Sequence, residues 1–462
     1  MTLIKSISGI RGTIGGTVGD NLTPIDTVKF AAAYATWLKQ YRKKDNYRVV
    51  VGRDARISGE MIQNLVMNTL VGMGIHVIDL GLSTTPTVEV AVPMEHADGG
   101  IILTASHNPK EWNALKLLNE KGEFLDGVAG EAILKLAASN SLLFVQVDDL
   151  GKITKNEAYI DLHIDEVLQL PIINKRAIEK ANFKVVFDGV NSTGGIAVPL
   201  LLDRLGVHCI KLYCDPNGHF PHNPEPLKEH LGDLSQAVIK EGADLGIVVD
   251  PDVDRLAFMD EKGEMFGEEY TLVACADYVL GKTPGNTVSN LSSTRALKDV
   301  TEAHGGNYKA SAVGEVNVVQ MMKDTEAVIG GEGNGGIIYP GLHYGRDALV
   351  GIALFLSLLA ERQISVSELK KGYPAYFMSK KKIQLTPDLE VDTILKAMES
   401  KYSKQQPNTI DGVKIDFETS WVHLRKSNTE PIIRIYTEAR SQQEADDLAN
   451  TIISEIKTVA KF

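Results

Sequence analysis

Three aspartates alternate at Asp250, Asp252 and Asp254, directly after an apolar run from Leu245 to Val249. In extended backbone alternate residues point to one side, so this spacing lets three carboxylates converge. Left unpaired they repel one another. A divalent cation resolves that repulsion, and an oxygen-only donor set favours a hard ion, Mg2+. The stretch lacks the central Gly and the distal Glu of a calcium EF-hand. A second stretch, Thr104-Ala105-Ser106-His107-Asn108-Pro109, follows the apolar run Ile101–Leu103. It offers one small hydroxyl, Ser106, at the carboxyl end of a strand, where open α/β sheets bind ligands. Pro109 fixes its own φ and restricts Asn108, so the turn is stiff. His107 and Lys116 lie close in sequence and can supply protons or positive charge.

Glu332 and Asn334 stand in a glycine-rich run from Gly330 to Gly336. Such backbone approaches a ligand closely, and the two side chains can accept from and donate to sugar hydroxyls. No Gly-Lys-Ser/Thr follows, so this is not a nucleotide phosphate loop. Residues 425–434 collect Arg425, Ser427, Asn428, Thr429 and Arg434 around a turn. Backbone N–H groups in a turn form an anion nest, and Arg binds phosphate through two parallel hydrogen bonds. Near the start, Arg11 sits in Gly-Ile-Arg-Gly and can reach an anion. Taken singly, each stretch also fits an ordinary polar turn or surface loop. Taken together, a hydroxyl nucleophile, a Mg2+ site and a remote phosphate clamp suit phosphoryl transfer, where catalysis is chiefly positioning and charge stabilisation.

The chain that must position these groups has 462 residues, 44% of them hydrophobic and 23% charged. That length predicts roughly two to four domains of ordinary globular composition. The net charge of −12 argues against nucleic-acid binding, which needs a basic footprint. An anionic small molecule is still compatible, given a locally positive pocket. No apolar run reaches the roughly 18 residues of a membrane span, and the first residues lack the apolar core of a signal peptide. Three cysteines, Cys209, Cys214 and Cys275, form no disulfide framework. The expected setting is cytoplasmic, with no membrane and no nucleic-acid partner, as a monomer or homodimer.

Hydrophobic periodicity predicts a helix over 24–43, with Thr23 as N-cap and Pro24 in its first turn. Strands over 47–51, 75–80 and 101–103, with a helix over 59–73, give a β-α-β alternation. The alternation restarts with strands at 184–187, 207–212 and 245–249 and a helix at 228–241. A third unit follows, with helices at 268–281, 294–304 and 347–360. The last ninety or so residues run strand, helix at 390–403, strands around 410–437, and a helix at 442–457. The predicted fold is α/β: three successive α/β domains with mixed, mostly parallel sheets, then a C-terminal α+β domain. The units divide as 1–150 around Ser106, 151–255 ending in the aspartates, 256–370 around Glu332, and 371–462 around Arg425.

Four of these stretches, in this order, resemble the signature loops of the α-D-phosphohexomutases. Thr104–Pro109 resembles the phosphoserine loop, and Asp250–Arg255 the metal loop. Gly331–Gly335 resembles the sugar-recognition loop, and Arg425–Pro431 the phosphate-binding loop. The resemblance implies four domains around a central cleft. It implies that Ser106 carries a phosphoryl group and joins Asp250, Asp252 and Asp254 in holding Mg2+. A phosphorylated hexose would be converted between its 6- and 1-phosphates through a bound hexose 1,6-bisphosphate. Glu332 and Asn334 would hold sugar hydroxyls, while Arg425, Ser427, Asn428, Thr429 and Arg434 hold the non-reacting phosphate. Lys116, ten residues after the serine, is the expected acid/base, with Arg11 near the serine and Arg255 supporting the metal loop. Many bacterial members have Ser at Asn334 and His at Gly336, and the Asn-Gly-Gly form here resembles an archaeal-like branch. His343 or His107 is then the expected stand-in for the missing imidazole, and Glu315 stands where many members have a basic or polar residue. Glucosamine phosphate is the favoured sugar, with mannose or glucose phosphate next. A phosphoserine-dependent phosphatase and a non-catalytic sugar-phosphate binder are the competing classes.

Overall fold

The structure, a computed structural model, describes residues 2–6, 9–139, 141–384, 390–426 and 432–460. Its first sheet has seven strands. In spatial order they are Ile4–Ser6, Gly9–Thr13, Trp112–Leu118, Gly99–Leu103, Arg48–Arg53, His76–Leu82 and Ile153–Lys155. Gly99–Leu103 is buried along its whole length, which is why it reads as an unbroken apolar run. The helix Pro24–Arg42 starts as its sequence requires: Thr23 accepts from the Asp26 N–H and Asp26 caps back, with Pro24 in the first turn.

Two elements of this sheet depart from the sequence expectation. No element is expected after Pro109, yet Trp112–Leu118 is a strand pairing antiparallel with Gly99–Leu103, Lys116 opposite Ile102. Lys116 and Asn113 interrupt its apolar pattern on opposite faces: Lys116 reaches the aspartates, and Asn113 donates to Ser58 Oγ at 2.9 Å. Thr85–Met94 is an unexpected helix, rich in β-branched residues and proline, started by the Thr84 cap on the Thr87 N–H.

The second sheet orders Leu256–Met259, Leu245–Val249, Lys184–Asp188 and His208–Leu212; the third orders Tyr308–Ser311, Asn286–Asn290, Ala327–Glu332 and Gly336–Ile338. Each combines parallel strands with one antiparallel edge. The helix Ala348–Arg362 is buried along nearly its whole length and packs in one core with both sheets, its Phe355 ring stacked 3.7 Å from Phe258. The fourth sheet, Phe377–Gln384, Ile432–Ala439, Trp421–Lys426 and Val413–Asp416, is wholly antiparallel. The helices Val391–Lys401 and Gln442–Ala460 pack on it through Ile394, Met398, Ile452 and Ile456. The architecture is the expected one of three α/β units and a C-terminal α+β unit.

Two boundaries drawn from sequence shift. Ile153–Lys155 pairs with His76–Leu82, so the first sheet crosses residue 150. Leu256–Met259 pairs antiparallel with Leu245–Val249, so the aspartate turn joins two strands of one sheet and does not close a unit at 255. In both cases a short strand beyond the turn finds an open sheet edge. The helix expected over 228–241 begins at Gly232, after a single 3-10 turn at Lys228–His230.

Candidate active site

The serine loop is held from beneath by one arginine. Arg56 is buried, and its guanidinium donates to the carbonyls of Ser106, Asn108 (2.7 Å), Pro109 (2.7 Å) and Trp112 (3.0 Å). Its Nε donates to Asp54 Oδ2 at 3.0 Å, and Thr104 Oγ1 donates to the same oxygen at 2.7 Å. Thr104 Oγ1 in turn accepts from the Ser106 N–H at 2.9 Å. These bonds keep Ser106 at φ +49°, a left-handed conformation that a non-glycine residue adopts only when its surroundings impose it. Arg11 supports the far side of the loop, donating to Asn108 Oδ1 at 2.8 Å.

Ser106 Oγ donates to Asp250 Oδ2 at 2.6 Å, which brings the first two stretches into one site. All three aspartates are fully buried, with one oxygen from each lying within 4.8 Å of the others. Asp250 uses both oxygens on the protein, whereas Asp252 and Asp254 each use one. Asp250 Oδ1 accepts from the Asp254 and Arg255 N–H groups at 3.2 and 3.1 Å. Asp252 Oδ2 accepts from Thr85 Oγ1 at 2.6 Å and Lys116 Nζ at 2.7 Å. Asp254 Oδ2 accepts from Lys116 Nζ at 3.3 Å and Arg346 Nη2 at 2.7 Å. Asp252 Oδ1 and Asp254 Oδ1 are buried with no hydrogen-bond partner. Orphaned buried carboxylate oxygens are costly, and a hard divalent cation is the partner that suits them. The residues therefore fit a Mg2+ site made of Asp250, Asp252 and Asp254. Val253, between two of them, holds φ +65°, so this turn is strained like the serine turn.

Charge is distributed unevenly here. Burial works to strip Lys116 of its proton, but Asp252 and Asp254 outweigh it and push its pKa above the usual lysine value. Burial, then Asp252 and Asp254, push the Asp250 carboxyl well up. Burial opposes ionisation of Asp252 too, but Lys116 wins and holds it low. His107 is pushed well below the usual imidazole range, first by burial and then by Arg255 and Arg11, so it is neutral at pH 7. Its Nδ1 lies 3.4 Å from Ser106 Oγ.

His107 opens onto a cleft of about 820 Å3 that is also lined by Arg255, Glu332, Asn334, Arg425 and Arg434. That volume suits a sugar phosphate. Glu332 Oε1 accepts from Asn290 Nδ2 at 2.8 Å and the Gly314 N–H at 3.1 Å, and its Oε2 from Arg346 Nη1 at 2.9 Å. Arg425 and Arg434 face each other in register across neighbouring strands. Asp411 fixes Arg425, accepting from its Nε at 2.9 Å and from the Val313 N–H at 2.9 Å. Arg255 Nη1 lies 3.1 Å from Glu225 Oε1.

Four family models cover the chain in succession. Phosphoglucomutase/phosphomannomutase alpha/beta/alpha domain I matches residues 3–143, domain II 161–263, domain III 267–376 and the C-terminal domain 379–455. The chain belongs to the α-D-phosphohexomutase family. Like its relatives in that family it is an isomerase. A phosphoglucomutase/phosphomannomutase from Thermococcus kodakarensis is 34% identical over 94% of this chain and 95% of its own length. A phosphoglucosamine/phosphogalactosamine mutase from Sulfurisphaera tokodaii is 31% identical over 97% and 98%. Among solved structures, a phosphoglucomutase/phosphomannomutase family protein from Burkholderia thailandensis superposes with a TM-score of 0.85 at 24% identity, covering 99% of this chain and 98% of that one; it shares the fold.

Against the expectations for a phosphohexomutase, the fold gathers Ser106, His107, Lys116, Arg11, the three aspartates and Arg255 at one end of the site. Glu332, Asn334, Arg425 and Arg434 line the cleft beyond them. Ser427, Asn428 and Thr429 lie outside the described residues. His343 is not brought to the cleft. It sits one turn before the helix Ala348–Arg362, its ring nitrogens 3.4 Å from Glu89 Oε2 and from Asp347 Oδ2. Sequence reasoning missed Arg56, Arg346, Thr85 and Asp411. Arg56 and Arg346 each follow a small residue in a short turn beside an aspartate, a weak signal shared by many surface arginines. Glu315 drew notice as a departure, and it is buried against Arg346 Nε at 2.8 Å.

Proposed function

We propose that this phosphohexomutase interconverts glucosamine 6-phosphate and glucosamine 1-phosphate, with Ser106 as the phosphate carrier. The observation that carries the reading is the 2.6 Å contact of Ser106 Oγ with Asp250, next to His107, which lines a cleft that also presents Arg425 and Arg434. A phosphatase has no use for the second, remote cationic pair. Asp250, Asp252 and Asp254 would hold Mg2+, which supplies charge neutralisation at the phosphoryl oxygens when bound.

In the forward half-reaction the phosphorus–Oγ bond breaks as a phosphorus–oxygen bond forms to the free sugar hydroxyl. That hydroxyl gives its proton to a base in the cleft, and the freed Oγ takes one up to become the hydroxyl that donates to Asp250. His107 is the candidate its position favours, because it lines the cleft with Nδ1 3.4 Å from Ser106 Oγ. Lys116 stays protonated and acts as a fixed cation beside the transferring group. The bound 1,6-bisphosphate then returns its other phosphate to Ser106 by the reverse step. Arg425 and Arg434 anchor whichever phosphate is not reacting, and Glu332 and Asn334 hold ring hydroxyls in either orientation.

Glutamates 225, 229, 268, 269 and 332 line the cleft beside Arg255, Lys370, Lys380, Arg425 and Arg434, which together offer carboxylate acceptors for an amino sugar's ammonium and cations for its phosphate. The name of the Sulfurisphaera tokodaii relative points the same way, while that of the Thermococcus kodakarensis relative favours mannose or glucose phosphate as the second reading. The test is a mutase assay across glucosamine, mannose, glucose and N-acetylglucosamine phosphates, with intact-mass analysis of the enzyme. The expected result is highest kcat/KM on glucosamine phosphate, stimulation by hexose 1,6-bisphosphate, and one phosphate per chain that Ser106→Ala abolishes together with activity. Release of inorganic phosphate without stimulation by the bisphosphate would refute the mutase reading.

A further inference from the structure

Gly336 has no side chain because another residue's side chain lies there. A Cβ at 336 would overlap Arg346 Cδ and come within 3.0 Å of Arg346 Cγ. The backbone of Arg346 is fixed on both sides. It bridges Ile338 across the strand edge, and the next residue, Asp347, caps the buried helix Ala348–Arg362 through the Leu349 N–H at 2.7 Å. From that base the guanidinium spreads to three carboxylates on three separate segments, with Glu315 at a helix start, Glu332 at a strand end and Asp254 in the aspartate turn. Nε reaches Glu315 Oε2 at 2.8 Å, Nη1 reaches Glu332 Oε2 at 2.9 Å, and Nη2 reaches Asp254 Oδ2 at 2.7 Å. All four side chains are buried. A lysine ammonium is a point charge and cannot serve three directions in one plane.

We propose that Arg346 is a positioning residue that sets the metal loop and the sugar loop from one planar cation. It touches neither ligand in this role. It anchors Asp254 Oδ2 so that the unpartnered Oδ1 keeps its aim at the cation, and it anchors Glu332 Oε2 so that the sugar loop keeps its register with the metal loop. Without it, Glu332 Oε2 has only a long contact of 3.5 Å with Asn334 Nδ2, and Asp254 Oδ2 has only Lys116. The two half-sites then lose their common reference. The inference rests on reading these loops as cation and sugar sites.

The test measures binding on the full chain. Mn2+ is titrated by electron paramagnetic resonance and glucosamine 6-phosphate by calorimetry, each variant first checked by circular dichroism and melting temperature. Arg346→Met is expected to weaken Mn2+ about tenfold or more, the size of effect seen when a ligand's outer partner is lost. The sign decides the matter, because deleting a nearby cation by itself would tighten Mn2+; tightening, or no change, overturns the proposal. Arg346→Lys keeps the charge and is expected to weaken Mn2+ as well; wild-type affinity in that variant overturns it. Gly336→Ala, a methyl placed on the sugar strand, is expected to weaken Mn2+ by displacing the arginine stem, and to add nothing in an Arg346→Met background. An equal effect in both backgrounds, or none in either, overturns the proposal. If Arg346→Met does not fold, the Lys and Gly336→Ala variants carry the test alone. Wild-type protein that binds neither Mn2+ nor glucosamine 6-phosphate overturns the functional reading instead.

Discussion

Replacing Arg56 by Met tests whether the serine loop is held as the structure indicates. The substitution keeps most of the buried volume but removes every donor. Four backbone carbonyls, of Ser106, Asn108, Pro109 and Trp112, lose their donated bond, and Asp54 loses its cation. Asp54 is fully buried, and burial already pushes its pKa up, with Arg56 the largest opposing influence. Breaking a buried ion pair costs about 3–5 kcal/mol, and a buried carbonyl left without a donor about 1–3 kcal/mol. Relaxation of the loop toward water recovers part of the second cost, so a loss of about 4 kcal/mol for the first unit is expected. For a unit of about 150 residues this lowers its melting temperature by roughly 8–16 °C. The functional loss should be larger than the stability loss implies. A nucleophile displaced by about 1 Å loses about a hundredfold in rate, and only Thr104, Asp250 and Arg11 then remain to hold the loop. Scanning calorimetry reads the first effect. Phosphate transfer from hexose 1,6-bisphosphate to Ser106, followed by intact mass, reads the second below the new melting temperature. A variant melting within about 2 °C of wild type, with transfer within twofold, would show that the loop holds itself and that the arginine is incidental.

Chelation should abolish mutase activity while leaving the fold nearly intact, because Lys116 and Arg346 already offset Asp252 and Asp254 without a divalent ion; far-UV circular dichroism unchanged beside complete loss of turnover is the expected pair of results, and unfolding on chelation would contradict it. The C-terminal unit should lose stability as pH falls. Burial pushes His423 down to about 4, and its Nδ1 accepts from Ser292 Oγ at 2.9 Å while Nε2 donates to the Asp411 carbonyl at 2.7 Å. The unfolded chain takes up a proton near pH 6.5 and the folded chain does not until about pH 4, so stability present above 6.5 falls by about 3 kcal/mol across that window. Denaturant titrations at pH 7 and pH 4.5 check this, and His423→Gln should flatten the slope; an unchanged slope refutes the assignment.

The parts of this protein that were legible in its sequence are those where chemistry and local geometry coincide. A buried parallel strand must be apolar, so the runs before Ser106 and before Asp250 announce themselves, and whatever polar group ends such a run sits at the site. The strand Trp112–Leu118 breaks that pattern because Lys116 is buried against the aspartates and Asn113 against Ser58, and a strand carrying buried polar residues does not announce itself. The aspartate turn looked like the end of a unit because turns usually separate units; only the pairing of Leu256–Met259 with Leu245–Val249 shows it to be internal.

Arg56 and Arg346 were illegible for a different reason. Each is a lone arginine whose partners, a neighbouring Asp54 in the case of Arg56 excepted, lie far along the chain: the serine loop for Arg56, and three separate segments for Arg346. The serine, aspartate and sugar loops carry recognisable side chains, but their conformations are not self-sufficient, since Ser106 and Val253 both sit at positive φ. A loop that cannot hold its own backbone needs a donor from elsewhere in the fold. For the serine loop that donor is a guanidinium collecting four carbonyls, and for the metal and sugar loops it is a guanidinium joining three carboxylates. The empty Cβ position at Gly336 is the one trace of this arrangement in the sequence. It reads as a missing side chain until the fold shows that the arginine ten residues later fills the space.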